Sequence, residues 1–387
     1  MSEPERVYLD SNATHPLLPE ARHAVIAALD FPGNPSSVHT EGRKARQMVD
    51  EARRTVAALA HGKPEHVTFA SGATEAANLL LTPNWKLGRA PLSMSKLYVS
   101  AAEHPCLLAG GQFGADDVVV LPVTHSGELD LSALERTLAG HDLSLGLPLA
   151  AIHHANNETG VVQPIEAIAA LVKGYGGVLV VDAVQTYGRI ALDISSGCGD
   201  FFIVSSHKIG GPKGAGAIIG AADLMMPVPL LRGGGQEKGH RAGTEALPAI
   251  AGFGAAALAA MERVGRCGEL TLKRDAIDLI VREIVPDAII HGKIAAARLP
   301  NTVFFTMPGM RAETAQIAFD LAGIALSAGS ACSSGKVGPS HVLKAMGVES
   351  VDGALRVSIG LETSQTDIEA FRLALESVAA RRKKAAA

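Results

Sequence analysis

The chain has 387 residues, of which 47% are hydrophobic and 19% charged, and its formal net charge is −4. That balance excludes a disordered, highly charged polymer and gives no electrostatic footing for binding nucleic acid or an anionic membrane. A chain this long exceeds the size at which a single core stops growing, so two domains are expected.

The opening segment MSEPERVYLD is acidic and lacks an apolar stretch, so it does not read as a signal peptide. No run approaches the roughly 20 apolar residues of a membrane span, and the cytoplasm is the expected compartment. Strand candidates follow in order as HVTFA (66–70), KLYVSA (96–101), DVVVLPV (117–123), PLAAIHH (148–154), GVLVVDA (177–183), FFIVSS (201–206) and GAIIG (216–220). Helical periodicity fills the intervals at 39–60, 73–81, 131–139 and 164–174. Strands this apolar are covered on both faces, which predicts an α/β fold with a mostly parallel sheet between helices. A long apolar helix over 246–266 leads into a second region with strands TVFFTM (302–307) and LRVSIG (355–360) and helices near 311–322 and 366–380. The domain boundary is expected near residue 255. The basic RRKK at 381–384 reads as the cationic end of the last helix.

Cysteine usage narrows the chemistry. Cys106, Cys198, Cys267 and Cys332 are far apart and form no CxxC pair, which argues against a zinc site or a disulfide framework. The histidine doublet His153 and His154 ends a strand, where neighbouring side chains point to opposite faces, so no metal is expected there.

In sheets of this kind ligands gather beyond the carboxyl ends of the strands. Three strand ends carry unusual residues: DAVQ places Asp182 and Gln185, SSHKIGGPKGAGA places His207 and Lys208, and SGATEAAN places Ser71, Gly72 and Thr74 at the start of a helix. Singly, a turn lysine is a solvated cation and a strand-end aspartate a helix cap. Together they supply a phosphate cradle, a lysine able to form a Schiff base and a carboxylate for a pyridine nitrogen, the three demands of pyridoxal 5'-phosphate. A nucleotide phosphate loop fits less well, because neither GxxxxGK[ST] nor GxGxxG after a strand is present.

The sequence resembles the cysteine desulfurases of the NifS and IscS type, within the class V aminotransferase group of fold type I pyridoxal phosphate enzymes. The resemblance rests on YLDSNAT (8–14), GNPSSVHTEGRKAR (33–46), TFASGATEAANL (68–79), EHPCLL (103–108), HHANNETGVVQPI (153–165), VDAVQT (181–186), SSHKIGGPKGAGA (205–217), GGGQEKGHRAGTEA (233–246), SAGSACSSG (327–335) and LRVSIG, in that order. It implies a large cofactor-binding domain over 16–255 and a smaller α+β domain built from 1–15 and 256–387, which carries the Cys332 loop.

The resemblance makes Lys208 the Schiff-base lysine and proton carrier and stacks His104 on the cofactor ring. It assigns Asp182 to the pyridine nitrogen and Gln185 to the phenolic oxygen. Thr74, Ser205 and His207 become phosphate contacts, with Ala73 and Gly72 close by, while Thr244 would reach the phosphate of a neighbouring subunit in a homodimer. Asn157 would lie beside ring and substrate, and Arg356 would bind the carboxylate of L-cysteine. Cys332 becomes the nucleophile that takes the substrate sulfur as a persulfide, leaving L-alanine and passing sulfur to an acceptor protein such as an iron-sulfur scaffold. A selenocysteine lyase or an aminotransferase of the same fold is the alternative within enzymes. A noncatalytic scaffold would be expected to have lost Lys208, Asp182, His104, Arg356 or Cys332. His15, Ala328 and Leu361 depart from the family pattern without removing a catalytic group.

Overall fold

The structure is a computed structural model that describes residues 6–329, 338–349 and 353–386. Among these, nine strands form one large sheet. Its centre is parallel: Val118–Leu121, Ala90–Ser100, Leu147–His153, Val178–Asp182 and Phe201–Ser205 lie side by side in that order. Antiparallel strands close both flanks, Gly216–Gly220 and Val67–Ala70 on one side and the Asn84–Leu87 and Met225–Pro227 pair on the other. The central strands bury every residue of VLVVD and FFIVS, which is why they read as unbroken apolar runs rather than alternating ones.

The expected parallel core is therefore present, and the flanks add what periodicity concealed. The strand expected over 96–101 starts at Ala90 and pairs with Asn84–Leu87 around a turn where Gly88 takes a left-handed φ of 58°. Pro91, Ser93 and Ser95 mask that half of the strand, since proline and serine read as loop. Two helices were also hidden. Pro19–Leu29 buries only Ala21 and Ala28, and Cys267–Ile284 buries only Leu270, Ile277, Asp278 and Val281, so neither carries a dense apolar stripe.

Helix Thr40–Ala58 shows the opposite pattern. Ala45, Val49, Ala52 and Val56 recur on one face and are buried, and the His39 side chain caps its start by accepting the Gly42 N–H at 3.3 Å. Against it lies the apolar helix Leu247–Val264. A Cβ on Gly254 would stand 2.6 Å from the Ala52 Cα, so only glycine lets the two backbones approach this closely. By length and composition that helix could cross a membrane, with a mean hydropathy of 1.3, but here Phe253, Ala256 and Ala257 lie wholly inside the large core. Burying a phenylalanine in this way stabilises the fold by about 2–3 kcal/mol.

The cores divide after this helix. Residues Leu18 to Ala260 fill the two faces of the large sheet, whereas Leu9 joins Leu270 through Ala379 in a separate cluster under a four-stranded sheet. Leu247–Val264 packs on the large core along its length, and the cores part after it.

Candidate active site

Parallel neighbours end at the same edge of the sheet, so the residues that finish them are brought together. His153 and Asp182 are register partners on adjacent strands, and Ser205 finishes the next one. Beyond this edge opens a cavity of about 480 Å³, lined by Asp182, Gln185, Lys208, His104, Asn157 and the turn Ser71–Gly72–Ala73–Thr74, together with Ser205 and His207. These eleven residues, all named from the sequence, thus share one cavity.

The floor is set by Asp182. Its carboxylate is buried and one oxygen accepts the Val184 N–H at 2.9 Å. Burial, which disfavours the anion, pushes its pKa up to about 6. A buried carboxylate facing a cavity of this size is suited to a cationic ring N–H, so the donor set fits a pyridinium. Across from it Lys208 Nζ donates to the backbone oxygens of Asn12 at 2.6 Å and Ala13 at 3.0 Å. The SNAT segment near the N-terminus therefore positions the lysine, which explains why that segment belongs to the site.

His104 stands at the N-cap of a short helix, where its Nδ1 accepts the Cys106 N–H at 3.2 Å and lies 3.1 Å from the Cys106 sulfur. Burial first, and the charges of Lys208 and His341 after it, lower its pKa to about 4. The ring is thus neutral near pH 7, as a flat apolar cover over an aromatic ring requires. His207 is pushed down to about 4 by burial and by Lys208 and Lys213, and its Nδ1 meets the Thr14 hydroxyl at 3.1 Å. Gln185 donates from Nε2 to the Asn12 carbonyl at 3.2 Å, and its Oε1 accepts from Arg189.

The phosphate end is built by helix Ala73–Leu80, whose first N–H groups follow the Ser71–Gly72 turn. At Gly72 a Cβ would meet nothing within 4 Å, while a Cβ on Gly216 would stand 2.7 Å from the Gly72 Cα. Strand Gly216–Gly220 thus presses the turn forward and leaves its open side to the cavity. An anion there meets backbone N–H groups, the Thr74 hydroxyl and the positive end of the helix dipole.

Two expected residues stand outside the cavity wall. Arg356 is buried behind Asn157, donating to the Asn157 carbonyl at 3.0 Å, to Asp10 at 2.7 Å and to the Ser327 hydroxyl at 3.0 Å. Thr244 is exposed on the loop that follows Gly239. Cys332 lies outside the described residues. Conversely, His153, Cys106, Thr14 and Lys213 line the cavity although the sequence assigns none of them a place in the site. All four sit inside quoted motifs. His153 is further marked by Glu103, a fully buried carboxylate 2.8 Å from its Nδ1 that also accepts the His153 N–H. Burial disfavours the imidazolium, but Glu103 overrides it and raises the His153 pKa.

Against known proteins, the family profile described as Aminotransferase class-V matches residues 7–371. The chain belongs to this family. A cysteine desulfurase of Frankia sp. (strain EuIK1) is 37% identical over 379 residues, covering 94% of this chain and 88% of the relative. A NifS-like protein from Rickettsia africae ESF-5 superposes with a TM-score of 0.86 at 32% identity, covering 97% of this chain and 99% of that one. The protein SspA, solved in complex with cysteine, matches with a TM-score of 0.74 at 28% identity over 91% of this chain and 98% of its own. The resemblance drawn from the motifs thus holds over nearly the whole chain, and pyridoxal 5'-phosphate is the cofactor of this class V aminotransferase member.

Proposed function

We propose that the protein is a pyridoxal 5'-phosphate-dependent cysteine desulfurase, which converts L-cysteine to L-alanine and places the sulfur on Cys332 as a persulfide. The observation that carries this reading is the convergence of Lys208, Asp182, His104 and the Ser71–Thr74 turn on one cavity. The cofactor, when bound, supplies an electron sink for the charge left as a Cα proton departs.

The chain's own residues do the rest. Thr74, Ser205 and His207 would hold the phosphate with the backbone of the turn. Asp182 would keep a proton on the ring nitrogen, and the neutral His104 would cover the ring face. Lys208, anchored by the Asn12 and Ala13 carbonyls, takes the Cα proton and returns it. Arg356, beside Asn157, binds the substrate carboxylate through its guanidinium. The Cys332 thiolate attacks the substrate sulfur, so that the C–S bond breaks as the S–S bond forms. Cysteine and an enzyme thiol then become alanine and an enzyme persulfide, with atoms and electrons balanced and no external oxidant.

The persulfide needs an acceptor, for which an iron-sulfur scaffold protein is our reading, in the cytoplasm. We also assign a homodimer in which the exposed Thr244 reaches the neighbouring subunit's phosphate. The deciding experiment feeds L-cysteine to the purified protein and measures alanine and sulfide in the presence of a thiol reductant. Equimolar release of both supports the reading. Amino-group exchange with a keto acid, without sulfide, would replace it with an aminotransferase.

A further inference from the structure

The turn that meets the phosphate is itself held by a charge pair whose carboxylate, Glu75, belongs to the cavity wall. Glu75, the residue after Thr74, accepts the Ser71 N–H on Oε2 at 2.9 Å, closing the turn on itself. Its other oxygen receives Arg241 Nε at 2.9 Å, and Arg241 Nη2 reaches Oε2 at 3.4 Å. Both side chains are largely buried, at 15% and 22% exposure.

Arg241 lies on the loop 233–246, and that loop is bolted down a second time. The Glu237 carboxylate accepts both terminal nitrogens of Arg53, at 2.8 and 2.7 Å, and the Phe69 N–H at 2.8 Å. Glu237 and Lys238 hold left-handed backbone, φ 46° and 57°, which costs non-glycine residues about 1–2 kcal/mol each and persists only where surrounding contacts enforce it. Ser71 and Gly72 fall between the two anchors, Phe69 on one side and Glu75 on the other.

We propose that Glu75 and Arg241 form a positioning pair for the phosphate turn, with Arg241 cancelling the carboxylate charge that would otherwise repel the cofactor phosphate. This rests on the reading that pyridoxal 5'-phosphate is bound here. The carboxylate is needed because it fixes the Ser71 N–H and hence the direction of the turn. An anion so close to a phosphate is unfavourable unless neutralised, and the guanidinium does so from the far side. In line with this, burial would raise the Glu75 pKa, but the hydrogen bonds from Arg241 and Ser71 hold it below the ordinary value.

The test compares pyridoxal 5'-phosphate with pyridoxal, which lacks the phosphate, in equilibrium binding to the full chain stripped of cofactor and followed by visible absorbance. Arg241→Ala is expected to weaken the phosphorylated form by roughly five- to tenfold, the scale of one partly buried charge pair, and to leave pyridoxal unchanged. Adding Glu75→Gln to that variant removes the repelling charge while keeping an acceptor for Ser71, and is expected to restore most of the affinity. Equal weakening of both ligands in Arg241→Ala, or no recovery in the double variant, would overturn the pair's role while leaving the cofactor assignment standing. A wild-type chain that takes up neither ligand overturns both.

Discussion

Arg356 donates to Asp10 at 2.7 Å from a position 346 residues away in sequence, and the guanidinium is almost completely buried. A buried cation held by one carboxylate, one carbonyl and one hydroxyl is a costly feature to keep without purpose. Arg356→Ala is expected to raise the KM for L-cysteine at least tenfold while the visible absorbance of the bound cofactor remains. Asp10→Asn, which leaves the guanidinium in place, is expected to destabilise the fold by about 3 kcal/mol yet raise KM far less. Steady-state kinetics and thermal melting of both variants check this, and equal KM effects would show that Arg356 acts only through the ion pair.

Lys208 donates to two backbone carbonyls, and its removal leaves the Asn12–Ala13 backbone that supports it intact. Lys208→Ala should fold, fail to show the visible absorbance of a lysine-bound cofactor, and lose the cofactor on dialysis. A spectrum identical to wild type would displace Lys208 from its role.

Cys332 is separable from cofactor binding because the residues that would hold the cofactor, Lys208, Asp182, His104 and the Ser71–Thr74 turn, lie on other segments of the chain. Cys332→Ala is expected to keep the absorbance and lose persulfide and sulfide production from cysteine by about three orders of magnitude, as for removal of a nucleophile. Desulfuration at the wild-type rate in that variant would assign the nucleophile elsewhere.

The cofactor-free protein should lose stability as pH falls below about 6.5. His104, His154, His207 and His291 are each pushed down to about 4, in every case by burial first. Their folded pKa values lie below the unfolded ones, so the unfolded chain takes up protons first, and the stability present above pH 6.5 is lost toward pH 4. Asp182 works in the opposite sense, because its folded pKa of about 6 exceeds the unfolded value and protonation relieves its burial. Asp200 and Glu158, raised first by burial, join it, while His240, lowered first by burial, joins the imidazoles, so three carboxyls stand against five imidazoles and do not offset them. His153, raised by Glu103 against burial, completes its contribution above this window. Melting temperatures measured between pH 7.5 and 5 should fall, and a flat or rising profile would contradict this balance.

Much of the site was legible before the fold, for a physical reason. Asp182, Ser205 and Lys208 follow apolar strands, and a parallel sheet gathers its strand ends on one edge, so local patterning already placed them near one another. The Ser71–Thr74 turn announced itself through Ser-Gly before an amphipathic helix. The less regular elements escaped because their signals are weak: Pro19–Leu29 exposes most of its surface, and the Ala90 half of its strand is disguised by proline and serine.

Sequence by itself therefore determined the alternation of strands and helices, the cofactor chemistry and the residues at the strand ends, because each depends on neighbours a few positions apart. Only the tertiary structure decided how those residues are held. Asp10 reaches Arg356, Asn12 takes the Lys208 proton donor, Glu103 lies on His153, and Arg241 closes on Glu75 across 166 residues. Such long-range polar pairs leave no period in the chain. They arise from the way two cores and a loop come to rest against one sheet edge, where buried charges must find partners or forgo burial.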